Sequence, residues 1–183
     1  MNFHIDSKFA AVGDVLRSYA WEVDIPKLDQ VTSSLDSEGF KIRARSASIP
    51  GRSIQPIESN YRGMKQMFAG RVTFNHTWPV TLEEFQDQKV QMAMYEWNQL
   101  IFDVDPNKDT GGGSQGITDK RGDKGYAVNI ILTQLKYDNS PLAKRIELVN
   151  AWPQSVDDVG LDYGGNDSVK LNVTFAYDFW KYI

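Results

Sequence analysis

From Val169 to Phe179 the chain reads VKLNVTFAYDF, with Val169, Leu171, Val173, Phe175, Tyr177 and Phe179 alternating against Lys170, Asn172, Thr174, Ala176 and Asp178. Successive side chains of a strand point to opposite faces, so an apolar set at every second position fits a sheet with one face covered and the other wet. A helix would scatter the same set around its axis. This segment therefore commits part of the chain to a sheet, and other segments share its character. Ser18 to Ile25 (SYAWEVDI) is rich in aromatic and β-branched residues and stops at Pro26. Gly39 to Pro50 alternates Phe40, Ile42 and Ala44 against Lys41, Arg43 and Arg45, which predicts a strand punctuated by Pro50-Gly51. Ile54 to Tyr61 leads through Arg62-Gly63 into Met67 to Val80, the pattern of a long, partly projecting antiparallel hairpin system. Further strands are predicted at Tyr126 to Tyr137 and Ala143 to Trp152.

Two segments carry helical signals. One is short, over Phe9 to Leu16. In the other, Thr81 and Glu84 have the spacing of a capping box, and Phe85, Val90, Ala93, Met94, Trp97, Leu100 and Ile101 form one stripe within Leu82 to Phe102. Asp103 to Gly125, with GGGSQG at 111–116 and TDKRGDKG after it, is too polar and glycine-rich to pack and is expected to be a mobile, solvent-facing loop. The expectation is a single domain over 1–183, mainly antiparallel β, with one main helix and that loop inserted at 103–125. A chain of 183 residues, 41% hydrophobic and 24% charged, can bury one sizeable core.

Most chemistries lack their residues. Without cysteine there is no disulfide, thiolate nucleophile or zinc-thiolate site. His4 and His76 are the only histidines, and no H-E-x-x-H spacing occurs. His76 reads as a half-exposed strand residue. Asp103, Asp105, Asn107 and Asp109 imitate the start of a calcium loop, but Lys108 stands where the turn glycine belongs and Ser114 where the bidentate glutamate belongs. The reading there is a solvated acidic turn. Gly111, Gly113 and Gly116 spell a dinucleotide fingerprint, and Gly112, Ser114 and Gly116 a nucleophile elbow, yet both need a strand before and a helix after. A linker fits better. Glu83, Glu84 and Asp87 are placed to favour a helix N-terminus electrostatically, and Lys120, Arg121 and Lys124 to lie in a solvated loop or touch an acidic partner surface. No catalytic, cofactor-binding or metal-binding residue is expected.

A net charge of -4 argues against a protein that grips phosphates, though not against DNA passing by. No basic segment followed by an uninterrupted apolar one opens the chain, and no apolar run approaches the length of a bilayer span, so neither export nor membrane insertion of the monomer is expected.

The carboxyl-terminal third, IELVNAWPQSVDDVGLDYGGNDSVKLNVTFAYDFW from Ile146, resembles the tail tube protein family of contractile phage tails. The resembling features are a strand ending in a Trp152-Pro153 turn, the step Leu161-Asp162-Tyr163, and an alternating closing strand that ends Tyr177 to Trp180. The amino-terminal part agrees in order: a strand at Trp21 to Ile25, a strand running into Pro50-Gly51, a Tyr-x-Gly step at Tyr61 to Gly63, and a helix carrying Trp97. The resemblance covers most of the chain, and the loop from Asp103 to Gly125 departs from it as an insertion or extension.

The resemblance implies an antiparallel β-barrel or sandwich with one main helix and a long projecting hairpin, similar to type VI secretion tube proteins. It implies a non-enzymatic subunit without cofactor, forming hexameric rings that stack into a channel for genome or effector delivery. Implied partners are further copies of the chain, a tail sheath protein, baseplate and tail-terminator proteins, and the tape measure protein and DNA transiently in the lumen. The implied location is the virion, after assembly in a bacterial cytoplasm. The alternatives are a baseplate paralogue that initiates the tube and the tube of a phage-like bacterial injection system. Independently of the family, long alternating strands must hide their edges, and Ile49, Ile54, Ile57 and Tyr61 around Pro50-Gly51 and Pro56 look costly on an isolated surface. The resemblance implies that the hairpin and its tip, about Arg45 to Tyr61, carry much of the contact between subunits and stacked rings, so the predicted interface comprises Arg45, Ile49, Pro50, Gly51, Arg52, Ile54, Ile57 and Tyr61.

Overall fold

A computed structural model of the protein describes residues 15–102, 119–121 and 125–183. In chain order its elements are β1 (Trp21–Asp24), α1 (Ser37–Arg43), β2 (Ala44–Ala47), β3 (Arg52–Tyr61), β4 (Met64–Phe74), β5 (Thr77–Glu83), α2 (Lys89–Ile101), β6 (Val128–Gln134), β7 (Ile146–Val156), β8 (Lys170–Ala176) and β9 (Phe179–Tyr182). The short helix expected at Phe9 to Leu16 falls almost wholly outside the described residues, as do the calcium-like turn and the glycine tract.

A seven-stranded sheet runs in the order β1-β6-β7-β8-β5-β2, with β9 also on β7. Every pairing is antiparallel. β7 holds it together by changing neighbours along its length: Ile146 to Val149 face β9, whereas Trp152 to Val156 face β8. The exchange occurs where the closing strand breaks at Tyr177-Asp178, whose amides turn to the carbonyls of His76 and Val149. Asn150 takes a left-handed φ of 55° beside it.

The alternation of β8 is realised as expected, with Leu171, Val173 and Phe175 buried and Tyr177 beyond them. Phe175 is fully buried and meets Phe40, Trp78 and Trp97 at ring-centroid distances of 6.3, 6.1 and 5.8 Å. Both tryptophans keep their indole N–H groups paired, Trp78 to the Ser48 carbonyl at 2.6 Å and Trp97 to the Tyr126 carbonyl at 2.7 Å. Neither buried indole is thus left as an orphaned donor, whereas the buried Tyr177 hydroxyl has no partner among the described residues.

Besides the breaks at 75–76 and 177–178, which divide two expected strands, three expected elements differ. Residues 39–43 are the end of helix α1 instead of strand. Asp36 caps that helix by accepting from the Gly39 amide at 3.1 Å, and Phe40 and Arg43 are buried one helical turn apart while Ile42 is exposed. The main helix begins at Lys89, because Thr81 is a strand residue paired with Asn172. Glu84 nevertheless supplies the cap from outside, accepting from the amides of Val90 at 3.3 Å and Gln91 at 2.8 Å. Val90, Ala93, Met94 and Trp97 bury the predicted stripe, whereas Phe85 precedes the helix and is exposed. Finally, Trp152-Pro153 is not a strand end: β7 continues to Val156 through a register shift between Pro153 and Ser155, which accommodates a residue that cannot donate to the ladder.

Candidate assembly interface

β3 and β4 form a separate two-stranded sheet that makes no ladder with the other strands. Arg62-Gly63 turns the hairpin, Gly63 at a φ of 80°. All ten residues of β3 are exposed, as is most of β4. Isolated two-stranded hairpins are at best marginally stable in water. This arm is also apolar on both faces. Ile57 opposite Phe68 and Tyr61 opposite Met64 lie on one face; Ile54 opposite Val72, Pro56 opposite Ala69 and Glu58 opposite Met67 lie on the other. A strand pair apolar on both sides has the pattern of a sheet covered on both sides. Among the described residues nothing covers it: Ile54, Ile57, Tyr61, Met64, Met67 and Phe68 are each more than half exposed.

β4 carries one extra residue between the Ile54–Val72 and Pro56–Ala69 pairs. Gly70 sits in this bulge, where a Cβ would come within 2.5 Å of the Gln55 carbonyl oxygen. A bulge increases local twist, so Gly70 sets the curvature of the arm.

The arm is fixed to the sheet at its root. The Trp180 indole donates to the Gly51 carbonyl at 3.2 Å, and the Arg52 guanidinium lies 5.7 Å from the Trp180 ring centroid. Phe74 meets the same indole edge-on at 6.4 Å. His76, exposed and at a φ of 57°, lies in the connection from β4 to β5 and not within a strand, its Nδ1 3.1 Å from the Tyr177 carbonyl oxygen.

The residues singled out by sequence separate into two groups. Ile54, Ile57 and Tyr61 lie on the exposed arm, and Ile49 is exposed just before it. The remainder are engaged at or below the root: Pro50 is buried, Gly51 and Arg52 hold Trp180, and Arg45 on β2 pairs with Glu83. The return strand supplies Met64, Met67, Phe68 and Val72, which sequence reasoning did not select. Their signal was available as the apolar positions of MKQMFAGRV, and Met64, Phe68 and Val72 lie directly opposite the selected Tyr61, Ile57 and Ile54.

The buried and half-buried charges have structural partners. Arg43 bridges Asp87 at 2.6 Å and Glu84 at 3.6 Å, tying α1 to the start of α2. Burial pushes the Glu96 carboxyl up, but hydrogen bonds from Ser34, Thr32 and the amides of Ser33 and Ser34 outweigh it and hold the group at about 2. Asp178 likewise stands at about 2, with burial opposed by Lys120, Asn150 and Arg121. Two members of the basic loop cluster thus find an acidic partner within the chain. Among the described residues no group of three or more His, Asp or Glu side chains could hold a metal ion, and no helix is long and apolar enough to cross a membrane.

A domain that closes its own core but extends an arm greasy on both faces belongs to the class of structural subunits made for association. The chain belongs to the phage tail tube protein family, which matches residues 2–183. It is 27% identical to the tail tube protein gp19 of Enterobacteria phage T4 over 172 residues, covering 93% of this chain and 99% of that one. The corresponding protein of phage T6 is 26% identical over the same shares. Among solved structures, a sheath-tube complex of the extracellular contractile injection system PVC contains a chain of the same fold, with a TM-score of 0.63, 15% identity and coverage of 100% and 99%. The tube-terminating cap of the anti-feeding prophage gives a TM-score of 0.62 at 17% identity, covering 99% of each chain. The function is that of a phage tail tube subunit, the family is a structural one, and its phage members are virion components.

Proposed function

We propose that copies of this chain close into hexameric rings, that the rings stack into the inner tube of a contractile tail, and that the arm is buried between copies when they do. The observation that carries this reading is the arm itself: two strands, apolar on both faces, exposed along their length and fixed at the root. Covering such a surface with identical copies removes it from water without needing a different partner. A head-to-tail contact of this kind yields a ring where it closes and a filament where it does not.

The sheet supports the same reading. β1 and β2 end the strand order, and the outer edge of each carries backbone N–H and C=O groups that a strand of a neighbouring copy can pair. Pairing of β1 or β2 with a neighbouring copy extends the sheet around a common lumen. In the assembled tail the outside of the tube faces a sheath protein, its ends meet baseplate and terminator proteins, and tape measure protein and DNA pass through. A net charge of -4 suits a channel that must release a polyanion. The role is architectural and involves no catalysis; assembly takes place in the bacterial cytoplasm.

Negative-stain electron microscopy of the purified chain tests the reading. Rings or tubes of constant bore are expected. Dispersed monomers at millimolar concentration overturn it.

A further inference from the structure

Among the described residues, the loop between β7 and β8 offers the arm a surface that matches it in charge, in apolar content and in position. Residues 52–74 contain Arg52, Arg62, Lys65 and Arg71 against Glu58 alone, a formal charge of +3 in a chain whose total is -4. The remainder of the chain therefore carries -7. Its most one-sided segment is the loop between β7 and β8, which holds Asp157, Asp158, Asp162 and Asp167 and no basic residue up to Val169. All four carboxylates are exposed. Beside them stand Leu161 at 83% exposure and Tyr163 fully exposed, lining a surface depression with Val159 and Val169.

Position completes the argument. β5 pairs with β8 from Thr77–Ala176 at one end to Glu83–Lys170 at the other. The arm leaves at the Thr77 end, and the acidic loop enters β8 at the Lys170 end. Seven residues at ~3.3 Å each put roughly 20 Å of sheet between them. A basic, apolar projection at one end of a sheet and an acidic, apolar receptor at the other both stand exposed in the single copy; they meet between copies set head to tail, and each such contact leaves both ends free to repeat.

We propose that the arm of one copy docks on the Asp157–Val169 loop of a copy in the next ring. Arg62 and Lys65 at the tip face the loop carboxylates, and Tyr61 and Met64 cover Leu161 and Tyr163. This rests on the self-assembly read above and adds which surface receives the arm. Another apolar groove, lined by Val15, Leu16, Tyr19, Leu135, Tyr137 and Leu142, includes two cations, Arg17 and Lys136, against the single Asp138, whereas the loop depression includes Lys170 against Asp162 and Asp167. A basic arm finds less in that groove.

The absence of cysteine makes the contact directly readable. Tubes are co-assembled from a Met64→Cys subunit and an affinity-tagged Tyr163→Cys subunit, then mildly oxidised. A disulfide-linked pair of one arm with one loop is expected, and substituting Tyr137→Cys for Tyr163→Cys abolishes it. Cross-linking to Tyr137→Cys instead overturns the proposal. Charge exchange gives a second readout. Arg62→Glu with Lys65→Glu, or Asp162→Lys with Asp167→Lys, raises the concentration needed for tubes roughly tenfold or more, because like charges then face each other. Mixing all four changes in one chain restores assembly. Tubes that form at the unmodified concentration from either pair alone refute the docking while leaving self-assembly intact, and the loop then faces a different protein. An unmodified chain that never assembles refutes both.

Discussion

The β8 region and the arm are both antiparallel ladders of similar length, and they differ in where their apolar side chains end up. On β8 the inward residues lie on a core whose centre, Phe175, is touched by three other aromatic rings of the same chain. On the arm, residues as apolar as those of β8 remain in water. The hydrophobic effect acts equally on both, at about 25 cal/mol per Å² of apolar area removed from water. The difference is the stage at which it acts: folding of one chain for β8, association of several for the arm. A substitution should therefore report which of the two stages its site belongs to.

The largest expected effect on the folded subunit comes from Phe175→Ala. Truncating a fully buried phenylalanine between Phe40, Trp78 and Trp97 leaves a cavity, and losses of about 3–5 kcal/mol are typical. Urea unfolding of the monomer should show a lower midpoint with little change in slope. A loss below about 1 kcal/mol would mean that the aromatic cluster is not the core.

Glu84→Ala comes next. It removes the acceptor for the Val90 and Gln91 amides and leaves Arg43 to its bridge with Asp87. A lost helix cap costs about 1–2 kcal/mol. Hydrogen exchange should speed up first in the opening turn of α2, while β8 stays protected until global unfolding.

A smaller, pH-dependent effect is expected at Glu96 and Asp178. Both are depressed in the folded state to about 2, from 4.5 and 3.8. A depressed carboxyl stabilises the fold fully above its unfolded pKa and loses that contribution as pH falls through the folded value. Thermal stability should hold above pH ~4.5 and decline between there and pH ~2. Glu96→Gln should cost about 1 kcal/mol at neutral pH and flatten part of that acid decline. An unchanged acid profile would show that the Thr32–Ser34 loop does not stabilise the charged form.

These sites differ in how far the sequence disclosed them. β8 was legible because its signal is local: every second residue is apolar over eleven positions. Residues 39–43 misled for the opposite reason. Five residues of alternating Phe, Lys, Ile and Arg fit a strand as well as one and a half helical turns, and the choice was made by Asp36 reaching the Gly39 amide and by Arg43 turning inward to Asp87. The second of these depends on a residue 44 positions away. Thr81 and Glu84 matched a capping box, yet the ladder to Asn172 claimed Thr81, and Glu84 capped the helix across a gap of six residues. The exchange of partners along β7 was invisible because it requires the break at Tyr177-Asp178. On the arm, the apolar content of β3 could be read directly, but the register that gives β4 an equal share could not.

The arm should show the smallest effect on the subunit and the largest on what it builds. Ile54 and Ile57 project to opposite faces and are 55% and 58% exposed in the single chain, so replacing both by aspartate removes little burial from the monomer. Surface changes of this kind usually alter stability by less than about 0.5 kcal/mol. In the assembled tube the same positions would place two charges in an apolar interface, where an unpaired carboxylate is far more costly than in water. Ile54→Asp with Ile57→Asp should therefore leave a folded monomer with an unchanged unfolding midpoint and abolish polymerisation in sedimentation and electron microscopy. Two results would remove the distinction between body and arm. Tubes of normal length would show that the arm stays in water after assembly, and a monomer destabilised as much as Phe175→Ala would show that the arm is part of the fold that makes the subunit.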